Sequence, residues 1–156
     1  MRTIVLKGES GLRVLVDDED YPLLSRHSWY AMRVRDTEKV YAQTRFGKDE
    51  KITLLMHTMV MGNPPAGQVV DHINDDGLDN RKSNLRFLLN AENIRRHYRD
   101  NPNVGIKLMP AKISNPYKVS VSLGGKAKHV GYFPSVETAR RARNQAIEKY
   151  LATGEL

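Results

Sequence analysis

The stretch VVDHIN, at positions 69–74, ends an apolar run with two side chains that could do acid–base or metal chemistry. Neutral imidazole has an ordinary pKa of about 6.5, so His72 could act as a base near neutral pH. Asp71 offers a carboxylate oxygen, a ligand that Mg²⁺ prefers. Neighbouring side chains on a regular strand point to opposite faces, so both can serve one site only where the strand ends or bulges.

Two asparagines follow at a spacing that could complete such a site. Asn84 lies twelve residues after His72, and Asn93 lies nine residues after Asn84. The amide oxygen of Asn93 could be a second ligand for a hard cation. Each residue also has a structural alternative: Asp71 could be a turn acid, Asn84 a turn residue at a sheet edge and Asn93 a helix-surface amide. The sequence has no cysteine, which excludes disulfides and thiolate-based zinc sites.

The local pattern places these residues on a strand, a second strand and a helix. A short strand is predicted over 68–73, a polar connection follows, and a second strand is predicted over 83–88 before a helix that opens at Asn90. Upstream, alternating segments such as VYAQTRF and ITLL indicate an antiparallel β-rich region with a short helix after DDED. LMHTMVMG changes to helical spacing, and the glycines and prolines of GNPPAG end it.

The segment VVDHINDDGLDNRKSNLRFLLNAENIRRH, residues 69–97, resembles the ββα-metal core of HNH endonucleases. It is most similar to the phage and intron-encoded homing enzymes in which asparagine replaces the last histidine. The flanking DDEDYPLLSRHSWY, MHTMVMGNPP and LDNRKSNLR resemble the same branch, so the similarity covers most of residues 12–99. The resemblance implies that His72 is the general base and that Asp71 and Asn93 bind Mg²⁺, with Mn²⁺ as an alternative cation. It also implies that Asn84 holds the connection closed and orients His72 through a backbone carbonyl.

Three other histidines lie in or near this region. His97 is four residues after Asn93, on the same helix face, and could be a further metal ligand, although we favour a surface or phosphate-contacting role. We expect His57 to pack beneath the site and His27 to be structural.

The charge of the chain is unevenly distributed. The net formal charge is +7, with −3 in residues 1–80, +4 in 81–103 and +6 in 104–156. A basic C-terminal half favours a polyanionic partner, nucleic acid first, with a basic surface that has no partner as the alternative. The cations around the proposed site are expected to contact phosphate, with a solvated face as the alternative, and these are Arg81, Lys82, Arg86, Arg95, Arg96 and Arg99.

The region from Val104 to Leu151 resembles the plant ethylene-response-factor DNA-binding domain. The matching elements are GI, GGK, HVGYF and ETARRARNQAIEKY. The resemblance implies a three-stranded antiparallel sheet, packed on one helix, that lies in the major groove. Alternation over 117–123 puts the polar residues on the DNA side, where we expect contacts from Lys107, Lys112, Lys118, Ser120, Lys126 and Lys128. The family's tryptophan and arginine pattern is missing, which leaves base specificity open, and a basic module that adds only nonspecific affinity is the alternative.

Together these patterns predict an α+β chain: an HNH nuclease domain at 1–99 with its ββα-metal core at 67–99, a linker at 100–103 and a DNA-binding domain at 104–156. The predicted activity is metal-dependent cleavage of duplex DNA, homing-type, by a monomer or a homodimer. The alternatives are a catalytically silent DNA-binding regulator and an RNA-directed or sugar-nonspecific nuclease. No apolar run approaches the ~18 residues of a membrane span, so we expect a soluble protein in the cytoplasm of a bacterial host, encoded by a phage or mobile element.

Overall fold

The computed structural model describes residues 1–8, 11–34, 37–46, 52–110, 114–123 and 125–155. These residues form several small antiparallel sheets and four α-helices, so the predicted mixed α+β class is confirmed. The chain divides into two compact units, Met1–Asn90 and Ala91–Leu156. No helix in the described ranges is both long and apolar enough to cross a bilayer.

The first unit contains three antiparallel sheets, ordered β1-β2, β3-β4-β5 and β6-β7, and two short helices. Their bounds are β1 Arg2–Val5, β2 Arg13–Val16, α1 Tyr21–Leu24, β3 Tyr30–Arg33, β4 Val40–Phe46, β5 Ile52–Leu55, α2 Met56–Met61, β6 Gln68–His72 and β7 Leu85–Leu89. The segments VYAQTRF and ITLL form strands at their predicted bounds, and in VYAQTRF the buried Ala42 and Thr44 alternate with less buried residues.

The core of the first unit is built around Trp29, the one tryptophan of the sequence. Its indole ring is 1% exposed, and its N–H donates to the Leu24 carbonyl at 2.8 Å, so the polar end of this buried side chain has a partner. Alternate residues of β2, Val14 and Val16, point into the same core, as alternation in a half-buried strand requires. Trp29 fluorescence is therefore a reporter of the folding of this unit.

The strands that carry the predicted site residues differ slightly from their predicted bounds. β6 ends at His72, and β7 begins at Leu85 because Lys82–Asn84 form a 3₁₀ turn. The connection between them is bound to β2, since the Leu15 N–H donates to the Leu78 carbonyl at 2.8 Å. It is also packed against β4: a Cβ on Gly77 would lie 2.3 Å from the Val40 carbonyl oxygen.

The described residues of the second unit form one sheet and two helices. The first of these helices, α3, begins at Asn90, which is the last residue of the first unit. The bounds are α3 Asn90–Asp100, β8 Ile106–Leu108, β9 Tyr117–Leu123, β10 Lys126–Phe133 and α4 Val136–Thr153, with sheet order β8-β9-β10. Ser135 caps α4 in a reciprocal capping box with Thr138, and Gly154 ends it with a φ of 73°. Val121 and Leu123 of β9 pack with Ile147 of α4.

A β-bulge in β10 explains why the alternation of this strand is irregular in the sequence. His129 pairs with Ser120, whereas Gly131 pairs with Val119, so Val130 is the extra residue. Before the bulge, Lys128 pairs with Val121, a residue of the face that packs on α4. The alternation of the sequence did not settle which face Lys128 occupies; the side chain is exposed, and its contact with DNA stays a prediction.

Candidate active site

Asn84 closes the connection between β6 and β7 with its side chain. Its Nδ2 donates to the Asp79 carbonyl at 2.9 Å and to Asn74 Oδ1 at 2.9 Å, while its Oδ1 accepts from the Asn74 N–H at 3.1 Å. The side chain is only 8% exposed, so each of these bonds replaces one that water would otherwise make. Asn84 therefore fixes the loop that leaves β6 immediately after His72.

His72, the last residue of β6, is held by an amide that the sequence pattern did not single out. The ring is 4% exposed, and its Nε2 lies 3.4 Å from Oδ1 of the fully buried Asn80. Nδ2 of Asn80 donates to the Gly77 carbonyl at 3.2 Å, which fixes the amide with its oxygen toward the imidazole. A neutral His72 must then carry its hydrogen on Nε2. Nδ1, which makes no hydrogen bond to any described residue, is left as the proton acceptor.

Two further rings enclose this imidazole. The His57 centroid lies 5.0 Å from that of His72, nearly perpendicular to it, and Tyr41 lies 5.7 Å away. Burial, with a smaller contribution from the charge of His72, lowers the pKa of His57 to about 4. Burial also lowers the pKa of His72, against the opposing effects of the Asn80 hydrogen bond and the nearby carboxylates. Both imidazoles are therefore neutral near neutral pH, the form in which a histidine can accept a proton.

The buried imidazoles should make the first unit sensitive to acid. The folded-state pKa of His57 lies below that of the unfolded chain, so between about pH 6.5 and 4 the unfolded chain binds a proton that the folded chain does not. The free energy of unfolding should fall by about 2 kcal/mol between pH 7 and 5, measured by urea titration of Trp29 fluorescence. In a His57→Gln variant, only the part of this pH-dependent loss of stability that is due to His72 should remain. An equally steep loss in that variant would contradict the assignment of the effect to His57.

Asp71 forms an ion pair across the β6-β7 ladder. Arg86 Nε and a terminal guanidinium nitrogen both lie 2.9 Å from Asp71 Oδ2, and the two residues are direct cross-strand partners. The register is regular, and β6 ends one residue later. The Asp71 carboxylate has the chemistry of a ligand for a hard divalent cation, and a cation there would compete with Arg86 for its oxygens.

Two further predicted site residues, Asn93 and His97, lie on α3 and belong to the second unit. Asn93 is half-buried, and the His97 ring lies 5.1 Å from the Tyr98 ring. In the described ranges, no group of three or more His, Cys, Asp and Glu side chains is arranged to hold a metal ion. The predicted Mg²⁺ ligands are the carboxylate of Asp71 and the amide oxygen of Asn93, so only Asp71 belongs to these residue types.

The cations predicted to contact DNA near the site have carboxylate partners. Arg81 donates to both oxygens of the buried Asp79, at 2.7 and 2.6 Å. These bonds hold the pKa of Asp79 below its ordinary value. The other pairs are Lys82 with Glu19 and Asp20, Arg86 with Asp71, Arg95 with Glu148, and Arg96 with Asp100. A phosphate at any of these side chains would compete with a carboxylate.

The polar face of the second unit's sheet contains two aromatic rings that the sequence analysis did not assign to it. Lys118 pairs with Lys107 on one side and with Tyr132 on the other, and Ser120 pairs with His129. The His129 and Tyr132 rings are 4.9 Å apart. The two rings share this face because of the bulge between them. The alternation of the sequence alone does not show this. Lys112 lies outside the described residues, as does the side chain of Lys126, whose backbone pairs with Leu123.

Comparison with known proteins agrees with the chemistry of this site. Residues 54–95, which include His57, His72, Asn84 and Asn93, match the family model described as HNH endonuclease. Over residues 54–95 the chain therefore matches an HNH endonuclease domain. Over 148 residues it is 26% identical to a protein described as an uncharacterized HNH endonuclease from Acanthamoeba polyphaga mimivirus. That similarity covers 94% of this chain and 74% of the viral protein.

No solved structure matches the chain significantly. The HNH domain and the viral relative together support a DNA endonuclease.

Proposed function

We propose that the chain is a divalent-metal-dependent, homing-type endonuclease that hydrolyses phosphodiester bonds of duplex DNA. The observation that carries the proposal is a neutral imidazole held at the end of β6. Its Nε2 lies 3.4 Å from Asn80 Oδ1, and its Nδ1 is left to accept a proton. The adjacent Asp71 offers an oxygen ligand. The homing character rests on the sequence resemblance alone.

In this proposal His72 Nδ1 takes the proton of the water that attacks the phosphorus. The imidazolium that forms is favoured by the carboxylates of Asp71, Asp76 and Asp79, which raise the proton affinity of the ring against burial. Tyr41 and His57 cover the ring and limit its orientation. Asp71 would offer an oxygen to the cation, Mg²⁺ or alternatively Mn²⁺, and the sequence resemblance assigns Asn93 as the second ligand. When bound, the cation would stabilise negative charge on the phosphate and the leaving oxygen.

The second unit would hold the duplex. Lys107, Lys118 and Ser120 share one face of its sheet with His129 and Tyr132, a set suited to contacts with phosphate and base edges. One catalytic histidine per chain cuts one strand. A double-strand break would then need a homodimer or two successive nicks.

Cleavage of supercoiled plasmid tests the proposal. We expect nicked or linear product with Mg²⁺ and none with EDTA, and we expect little cleavage of RNA, because a sheet that reads a DNA major groove cannot enter the narrow groove of A-form RNA. Tight binding of plasmid without cleavage in any divalent cation would instead favour a silent DNA-binding protein. Equal cleavage of RNA would favour a sugar-nonspecific nuclease.

Asn80→Ala tests the orientation of the base. The variant frees the imidazole to rotate and to change tautomer, so we expect nicking to slow by about 10- to 100-fold while DNA affinity is unchanged. Single-turnover nicking and DNA-binding titrations measure the two effects separately. Trp29 fluorescence checks that the unit is folded, and a folded variant with the wild-type rate would contradict this role for Asn80.

A further inference from the structure

The second unit contains a cavity whose walls are dominated by arginine. Its volume is about 470 Å³, and it lies between α3 and α4. The basic lining residues are Arg95, Arg99, Arg140 and Arg143. Glu148, which bonds to Arg95 at 2.9 Å, is the one carboxylate among the described lining residues. Arg99 is paired with Asp100 at 2.9 Å, so the excess of positive charge in this concave site rests on Arg140 and Arg143, and it favours an anionic ligand.

Arg143 has a structural role in this wall. It is 2% exposed, and its guanidinium donates to the carbonyls of Tyr98, Pro102 and Val104 at 2.8–3.1 Å. These bonds tie the segment after α3 to α4, with the cation stacked 5.2 Å from the centre of the Tyr98 ring. All of its described partners are carbonyl or amide oxygens, so its charge remains uncompensated by a carboxylate.

Arg140 adds a donor that is not used. One terminal nitrogen donates to Asn103 Oδ1 at 2.8 Å, but its buried Nε has no hydrogen-bond partner among the described residues. A buried N–H without an acceptor is unfavourable, and an acceptor in the cavity would relieve it. Burial, with a smaller contribution from the neighbouring charge of Arg140, lowers the pKa of Arg143.

We propose that this cavity is a phosphate-binding site in which Arg140 and Arg95 hold a tetrahedral oxyanion. Guanidinium groups suit phosphate because their planar N–H donors can bind two oxygens at once. A bound phosphate would satisfy Arg140 and reduce the repulsion between Arg140 and Arg143. The phosphate could belong to a DNA backbone or to a free anion. The site is distinct from the sheet face expected to contact DNA and does not depend on cleavage.

Titration of ¹⁵N-labelled protein with inorganic phosphate in EDTA tests the site. We expect the Arg140 Nε–H signal to shift saturably with phosphate but not with chloride at equal ionic strength. Glu148→Gln, which removes the competing carboxylate, should tighten phosphate binding, whereas a purely structural cluster would show no gain. Absence of a saturable, phosphate-specific shift in both the wild type and Glu148→Gln would overturn the proposal, whatever the result with DNA.

A second measurement distinguishes the source of the phosphate. Arg140→Gln and the matched Arg141→Gln, an exposed neighbour on α4 outside the cavity, each remove one charge. If the ligand is a DNA phosphate, Arg140→Gln should weaken binding of a labelled duplex more than Arg141→Gln and reduce the slope of log affinity against log salt by about 0.9. Equal weakening, with the phosphate shift intact, would assign the site to a free anion. Both assays exclude divalent metal, so failure here leaves the nuclease proposal intact.

Discussion

The His72→Ala variant should bind DNA like the wild type and fail to nick it. Removing a positioned general base typically costs about 100- to 10,000-fold in rate. His57 packs against His72, but its pKa of about 4 makes it a weak base near neutral pH. Supercoiled plasmid with Mg²⁺ should therefore remain uncut by the variant over the time in which wild type converts it.

His27→Ala is the matched control for this loss. His27 also lies in the first unit, between the rings of Trp29 and Phe46, so its removal deletes the same chemical group from a packed position. We expect reduced stability with nicking retained under conditions where the variant is folded. Loss of nicking in both variants in proportion to their stability would show that the effect of His72→Ala is structural.

The Asn84→Ala variant should be the most destabilising single change in the connection between β6 and β7. It removes three side-chain hydrogen bonds and leaves the carbonyl of the buried Asp79 without this partner, whereas the exposed Asn74 can turn to water. We expect the free energy of unfolding to fall by about 2–4 kcal/mol, and nicking to fall with it because the loop also carries Asn80. Urea titration of Trp29 fluorescence measures the change.

The control for this variant is Asn63→Ala, at an exposed position after α2. It should change the free energy of unfolding by less than about 0.5 kcal/mol, as surface substitutions usually do. Equal stability of Asn84→Ala and Asn63→Ala would contradict the structural role of Asn84.

Regular alternation made parts of the fold predictable. VYAQTRF and 117–123 form strands at their predicted bounds because side chains on a half-buried sheet must alternate. Ser135 caps the last helix by accepting from the Thr138 N–H. The 3₁₀ turn at Lys82–Asn84 and the bulge at Val130 were not predictable, since each is set by packing rather than by a local repeat.

The candidate site was predictable from residue type and order, but not its supporting contacts. Asp71, His72 and Asn84 stand out because they interrupt apolar segments. Asn80 does not, because it is one of several polar residues in a loop and acquires its role only when the loop folds back on β6. The carboxylate partners of Lys82 are similarly invisible, since they lie more than sixty positions away in the sequence.

The central claim is that the His72 imidazole accepts the proton in strand cleavage. The most direct test is the single-turnover nicking rate of wild type and His72→Ala, measured with Mg²⁺ and with enough protein that every plasmid is bound. Under these conditions differences in affinity do not contribute. A rate at least about 100-fold lower in the folded variant is predicted. Equal rates at full occupancy would remove His72 from the mechanism and, with it, the proposed site.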